Sequence, residues 1–493
     1  MKYSKLFSVA VLGLGIGFSG CSRDKNEKPD SSSAGVVERH HWSPKSEIAA
    51  AQIRVVNQFG EPISGAQILV GQAPNNPFRD NFVTTDSSGR ATISNSWKTP
   101  ASVTIDARGY IRQTLLNQAP GNIVLKLNPL PLNEQAEMRG NVTQLPVVNG
   151  DKLIDFALVM PAVTRADLLN FDIGQVISPY TDTLSAAGQK SDIPSNVSIP
   201  KQKESYIIGV TLDKPLYRLK MNQLGNRKVV AARGRFVFKD VVSELRKGKS
   251  FHDLINHFSI EGGSMRDVTI VSGVTNLEIS GNDMAFNQQI PVQTASALAD
   301  EIQIVLAASD FSGFMMPTDV KRATHGQPLN LQSIAGKQTV IVNVIKKQSE
   351  FMSDAPGASR MSASMVPYTA TVSPRLLPLM ANPTISGSNQ YTIRLPNLPH
   401  TAGINPTATS AAISDLIEVT DGNKKITLAI KRWEVIGAGW NQSITLPDWS
   451  LPQTNNRKRV EVNFIGSTIS KSTDIDDRLI NNATHVTHAS ADF

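Results

Sequence analysis

Short stretches of alternating apolar and polar residues recur along this chain of 493 residues, separated by Gly, Pro, Asn and Asp, and predict a mainly β protein. Between residues 49 and 128 the pattern is clearest. Ile53-Arg54-Val55-Val56 alternates as a half-buried strand, Gln58 to Gly65 turns the chain, and Ala66 to Val70 is the next strand. Thr84 to Ile93 reads as strand, tight turn and strand, with Asp86 bonding the backbone ahead of it and Gly89 taking a positive φ. Val103 to Ala107, Ile111 and Ile123 to Leu127 complete a set of short strands whose spacing suits a sandwich.

Beyond the prolyl segment 128–133, a stiff linker, strands are predicted at 153–160, 206–213, 216–221, 228–238 and 268–271. Others follow at 302–308, 339–345, 391–395, 426–433 and 460–465. In Tyr206–Leu212 and Val340–Ile345 both parities are apolar, which places those strands inside a sizeable sandwich. One helical segment is predicted near 240–258, where Phe238, Val241, Val242, Leu245, Phe251, Leu254, Ile255 and Phe258 recur at helical spacing around a break at Gly248. Residues 355–364 and 382–410, low in charge and rich in Ser, Thr, Ala, Asn and Pro, read as long connections.

Three fragments in the first folded stretch carry a resemblance. Gly60-Glu61-Pro62-Ile63-Ser64-Gly65-Ala66, Thr85-Asp86-Ser87-Ser88-Gly89-Arg90 and Ala107-Arg108-Gly109-Tyr110 resemble, in order and spacing, a carboxypeptidase regulatory-like (prealbumin-like) domain. The resemblance covers about 80 residues and implies a small non-catalytic β-sandwich that serves as an accessory, spacer or docking module. Bacterial immunoglobulin-like domains share similar phrases. The expected fold class is therefore mainly β, a multi-domain set of immunoglobulin-like or prealbumin-like sandwiches with one short helical segment.

At the amino terminus Lys2 and Lys5 precede an unbroken apolar and small-residue run from Leu6 to Phe18, followed by Ser19-Gly20-Cys21. A charged head, a short apolar core and a small-residue cut site are the parts of an export signal, and the run is shorter than the roughly 20 residues that cross a bilayer. Phe18-Ser19-Gly20-Cys21 resembles the bacterial lipobox, with Phe18 where the family usually has Leu. The resemblance implies cleavage between Gly20 and Cys21, acyl chains on Cys21, and a partner that is the membrane itself. Ser22 stands where an Asp would favour the inner membrane, so the expected location is the outer membrane, with the body facing the periplasm or the surface. The domain expectation is then a signal peptide (1–20), a charged and Ser-rich tether (21–48), the regulatory-like sandwich (49–128), a β-rich domain with one helix (135–335) and a β-rich carboxy-terminal domain (336–493).

Composition narrows the chemistry. Cys21 is the only cysteine, which excludes disulfides, cysteine-ligated zinc and a cysteine nucleophile. The formal charge of +7 is spread without a Lys/Arg block, so no nucleic-acid partner is expected.

His252 and His257 are five apart, off a shared helical face, where a zinc pair needs four. Asp474-Ile475-Asp476-Asp477 lacks the glycine and closing glutamate of a calcium loop. His40-His41 lies in the tether, and His485 and His488 lie near an end that reads as frayed. Gly262-Gly263-Ser264-Met265-Arg266 lacks the last glycine of a nucleophile elbow, and Pro200 interrupts Ser198-Ile199-Pro200-Lys201. No catalytic residue, metal or cofactor is therefore expected. Trp433, Trp440 and Trp449, with Tyr391, are the candidates for a glycan-stacking platform, although tryptophans also plug sandwich cores.

The function expected from these features is a lipid-anchored, non-enzymatic envelope lipoprotein with a binding, adhesion or assembly role, its partner an envelope protein or glycan. An envelope hydrolase or polysaccharide-processing enzyme with an accessory sandwich is the alternative. A subunit of a surface complex that recruits its partner along a strand edge is a third reading.

Overall fold

In the computed structural model the described residues are 50–57, 60–71, 82–93, 97–130, 136–144, 153–165, 169, 181–186, 189–194, 197–198, 203–204, 206–209, 216–221, 224–247, 249, 251–350, 360–369, 374–387, 390–421, 424–447, 457–469 and 482–493. They form a mainly β protein that divides into two compact units between Pro129 and Leu130. No helix among the described residues is long and apolar enough to cross a membrane.

The amino-terminal unit contains β1 (Gln52–Val56), β2 (Gln67–Val70), β3 (Val83–Thr84), β4 (Arg90–Thr92), β5 (Ala101–Asp106), β6 (Arg112–Gln118) and β7 (Ile123–Lys126). One layer has the order β4–β1–β7, with β1 and β7 parallel; β6, β5, β2 and β3 lie side by side in the other. Alternation along β1 and β5 buries Ile53, Val55, Val103 and Ile105 completely. Each such side chain contributes about 1.5–3 kcal/mol on leaving water. The loops are fixed by polar bonds. Thr85 Oγ1 accepts from Ala66 N at 2.9 Å and donates to Ile63 O at 2.7 Å, which ties the strand after β2 to the turn before it.

In the second unit, a first sandwich occupies residues 136–285. β8 (Ala136–Thr143) pairs with Leu216–Met221 and, in parallel, with Gly273–Asn276. Facing it are β9 (Leu153–Pro161), β10 (Gly225–Val237) and β11 (Phe258–Ile270), with Tyr206–Gly209 beside β9. Met138 of β8 enters a space floored by Ala157, Val159, Val229 and Ala231, where small side chains give the room a methionine needs. The reverse face carries Phe156, Phe236 and Phe258, packed with Val241 and Leu254.

Here the predicted helical segment is present in three pieces. α1 spans Phe238–Arg246, a four-residue turn follows at Phe251–Leu254 and a 3-10 turn at Ile255–His257, and Phe258 is already extended at φ −97° and ψ 133°. Phe258 recurs at helical spacing, yet its ring joins the aromatic cluster from a strand, 4.9 Å from the Phe236 centroid.

The rest of the unit is built on one long antiparallel run. Its strands are β12 (Glu301–Phe311), β13 (Phe314–Ala323), β14 (Thr339–Lys347), β15 (Met361–Pro367), β16 (Asn405–Asp421), β17 (Lys424–Ala438), β18 (Lys458–Ser467) and β19 (His485–Asp492). Their order is β13–β12–β14–β15–β19–β18–β16–β17. The division expected near 335 is not a division of the fold. Gly336, at φ +74°, sits in a turn, and β12 pairs with β14 from Glu301↔Lys347 to Ser309↔Thr339, so both sides of that point belong to one sheet. Two expected connections are also strands in part: 361–364 starts β15 and 405–410 starts β16. Over β12 and β14 lies the pair Gln288–Val292 and Leu329–Ser333, whose Ile290, Val292 and Leu331 pack on Val305, Ala307 and Ile341.

Candidate functional site

Among the described residues, a set of buried charged groups lies across β16 to β19. Glu434 of β17, Ala412 of β16, Glu461 of β18 and Ser490 of β19 are successive partners in one row, and Ile436, Ser410, Asn463 and His488 form the next. A β-bulge between Ile413 and Ser414 sets Ser414 opposite Lys431, which makes Arg432 the extra residue on β17. Lys431 Nζ meets Glu434 Oε1 at 3.2 Å, with both side chains at most 4 % exposed. Arg432 Nε donates to Asp415 Oδ2 at 2.7 Å, and Lys458 Nζ stands 3.8 Å from the other oxygen. Arg459 grips Asp492 through two bonds, at 2.6 and 3.2 Å.

His488 Nδ1 and Asn463 Oδ1 are 2.9 Å apart, and Asn463 Nδ2 donates to Ser410 Oγ at 3.2 Å. Each of these cations faces a carboxylate at bonding distance. The arrangement fixes the register of four long strands, since a one-residue slip turns every charge to the other face.

A second group holds an extended segment against β19. His485 Nε2 donates to Arg375 O at 3.1 Å, while Nδ1 lies 2.8 Å from the Thr484 hydroxyl. Burial lowers the imidazole pKa to about 4, against the opposing pull of the Arg375 carbonyl. Thr487 Oγ1 donates to Pro378 O at 2.9 Å and accepts from Met380 N at 3.2 Å. His485 and His488 are thus buried residues of a central strand, not members of a frayed end as expected, because β19 is hydrogen-bonded on both sides, by β15 and β18.

Of the described aromatic candidates, Trp433 is taken up by the core and Trp440 and Tyr391 each pack on a phenylalanine. Trp433 is 1 % exposed and fills the core, opposite Ile413. Trp440 donates from Nε1 to Ile465 O at 2.8 Å and stacks on Phe464 with centroids 5.7 Å apart. Tyr391 meets Phe493 edge to face at 5.5 Å. Trp449 lies outside the described residues, as do Gly20, Cys21, His40, His41, Lys201 and Asp474 to Asp477.

Of the remaining motifs, Asp253 pairs with Arg322 beside β13. Ser264 is a buried strand residue whose Oγ donates to Ser280 O at 2.5 Å. Ser198 ends the short strand Val197–Ser198. The described residues contain no group of three or more His, Cys, Asp and Glu placed to hold a metal. The ionic rows were not singled out from sequence. Their only linear signal is charge inside an apolar strand, as in Leu428-Ala429-Ile430-Lys431-Arg432-Trp433-Glu434-Val435.

No family model matches the chain, and no curated protein matches it. Among solved structures the chain is similar to the Bacillus anthracis TIE protein, at 10% identity over 61% of this chain and 45% of that one, with a TM-score of 0.16. A streptococcal ancillary pilin shows 8% identity over 60% and 89%, with a TM-score of 0.13. The BSP domain of a biofilm-associated protein shows 8% over 83% and 86%, with a TM-score of 0.11. The chain spans less than half the length of the first of these. Superpositions this loose carry no argument about function.

Proposed function

We propose that this chain is a lipid-anchored protein of the bacterial envelope, tethered at the outer membrane through Cys21, with a non-enzymatic role in binding, adhesion or assembly. The observation that carries the reading is the Leu6–Phe18 run ending in Ser19-Gly20-Cys21. A short apolar run behind two lysines directs export, and acylation of the one thiol retains the product without a spanning helix. Each buried methylene contributes about 0.8 kcal/mol, so two or more chains anchor stably where one does not.

The β-rich body supports a binding role through the use it makes of its buried charges. Arg432 with Asp415 and Arg459 with Asp492 tie neighbouring strands together, and Lys431 with Glu434 closes an ion pair within β17. The amino-terminal sandwich then serves as a spacer or docking module between the tether and the second unit, and the partner is an envelope protein or glycan.

Labelling with a palmitate analogue and membrane fractionation test the anchor. Wild type incorporates label and partitions with the outer membrane, whereas Cys21→Ser gives unlabelled, uncleaved precursor. Equal labelling of that variant removes the anchor. Cross-linking in intact cells, followed by identification of captured partners, tests the role. Capture of nothing, together with cleavage of envelope glycan by the purified protein, replaces the binding reading with the hydrolase one.

A further inference from the structure

In the amino-terminal unit the sheet β4–β1–β7 turns one face to the core and the other to solvent. Ile53, Val55, Ala91 and Leu125 are buried on the inner face. Strand alternation puts Gln52, Arg54, Arg90, Thr92, Val124 and Lys126 on the outer one. Arg90, Arg54 and Val124 are successive partners in a row across the three strands. Arg90 N donates to Asp86 Oδ1 at 3.0 Å and Arg90 O accepts from Asp86 N at 2.8 Å, so neither bonds Arg54. The two arginines are therefore a non-hydrogen-bonded cross-strand pair, the kind whose side chains stand closest. Like charges placed this way repel.

No carboxylate among the described residues of the unit pairs with either guanidinium. Six cations stand there against three carboxylates, and the bonds of all three go elsewhere. Glu61 accepts from Asn57 Nδ2 at 2.7 Å, and Asp106 from Arg112 at 3.0 Å. Asp86 attracts Arg90 from beyond bonding distance, but accepts from Ser88 N, Ser88 Oγ and the Arg90 amide. Arg54 Nε is buried without a hydrogen-bond partner. Beside Arg54, on the strand that ends the sheet, Val124 is 66 % exposed. Cations around an exposed branched apolar side chain suit a surface that is negative outside and apolar beneath.

We propose that this outer face docks on the anionic phosphate headgroups of the membrane that retains Cys21. The inference rests on the anchor reading for its proximity: β1 is the first described strand after Cys21, with residues 22–51 between them. A lipid phosphodiester seated between Arg54 and Arg90 screens their repulsion and accepts from both guanidiniums. Lys126 adds a third charge on the same face, and Val124 rests toward the acyl boundary. A single acyl chain holds a protein only marginally, and a basic face beside it supplies a second hold.

Cys21 is the only cysteine, so the full chain carrying Cys21→Ser and Thr92→Cys has one thiol, on this face, for a fluorophore. The Leu6–Phe18 run is common to every variant and so drops out of each comparison. Phosphatidylcholine vesicles, with or without phosphatidylglycerol, carry a contact-range nitroxide quencher on their headgroups. Those containing phosphatidylglycerol should quench the label at Thr92→Cys, those without it should not, and salt should reverse the effect. A label at Thr84→Cys, exposed in the opposite layer, should stay bright. Arg54→Gln with Arg90→Gln should raise the vesicle concentration required about 25-fold, at roughly fivefold per charge. Where that pair does not fold, Arg90→Gln alone should raise it about fivefold. Equal quenching with both lipid compositions, at both label positions, or with and without the arginines overturns the proposal. Absence of quenching overturns it too, and leaves the face to an acidic macromolecule. The assay is run without Cys21, so failure of the anchor reading is seen separately, in palmitate labelling of the wild type.

Discussion

Asn256 pairs with the backbone of Arg322 as a strand residue would. Its Nδ2 donates to Arg322 O at 3.0 Å, and its Oδ1 accepts from Arg322 N at 2.8 Å. One side-chain amide thus supplies β13 with a donor and an acceptor, and joins the turn after α1 to the long sheet. Asp253 adds an ion pair to the Arg322 guanidinium. Asn256→Asp keeps the shape but loses the donor and sets a carboxylate against a carbonyl oxygen. A local loss of about 0.5–1.5 kcal/mol is expected, read as faster hydrogen exchange in 251–258 and at Arg322. Unchanged exchange there would mean that the amide bonds are incidental.

Lys431 and Glu434 provide a test of what the buried charges do. Both lie on β17, brought together across the bulge at Arg432, and removing one partner leaves the other buried without its counter-charge, at a cost of about 3–5 kcal/mol. Lys431→Met with Glu434→Leu restores an apolar match and should return most of that loss. A double-mutant cycle by chemical denaturation gives the coupling. Additive losses would show that the pair is not a unit.

The turn between β3 and β4 depends on two residues. A Cβ on Gly89 would fall 2.5 Å from Val55 O, and its φ of +72° is one that L side chains rarely adopt. Gly89→Ala should therefore destabilise the amino-terminal unit by more than about 1 kcal/mol. Asp86 Oδ1 accepts from Ser88 N at 2.8 Å and Arg90 N at 3.0 Å, and the Arg90 amide foremost holds its carboxyl below the usual range. A carboxyl lowered on folding stabilises above its unfolded pKa of 3.8, and that gain is lost as pH falls through the folded value. Asp86→Ala should remove this acid-sensitive part, visible as a flatter melting profile below about pH 4.

Much of the fold was legible because burial on both faces leaves a strong linear trace. The run Val340–Ile345 has the pattern of an interior strand and lies in β14, with its apolar residues buried. The start of β16 left no such trace. Asn405-Pro406-Thr407-Ala408-Thr409-Ser410 has the composition of a linker, yet Thr407 and Thr409 are fully buried. Their hydroxyls are satisfied by backbone carbonyls, Thr409 Oγ1 giving its proton to Gly439 O at 2.7 Å, so small polar residues there fill an interior. The ionic rows were hidden for another reason. Asp415 meets Arg432 only through a hairpin register containing a bulge, and nothing local in the sequence states that register.

Asp319 gives the last test, because its burial and its bonds pull in opposite directions. The side chain is 2 % exposed on β13. Its Oδ2 accepts from Gln332 N and its Oδ1 from Val320 N, both at 2.9 Å, and Lys321 Nζ stands 3.7 Å away. Desolvation prevails and raises the carboxyl above its ordinary 3.8. The folded state then holds the proton more tightly than the unfolded one. Stability from this group is greatest where both states are protonated, falls as pH rises from 3.8 through the folded pKa, and is level above it. Asp319→Asn does not titrate and offers one acceptor where two N–H groups need partners, a pH-independent loss of about 1–3 kcal/mol. The difference between the wild-type and variant stability profiles should therefore shrink as pH climbs through that window. A difference that widens instead would show that Lys321 and the two amides outweigh burial, and that Asp319 is held as an anion.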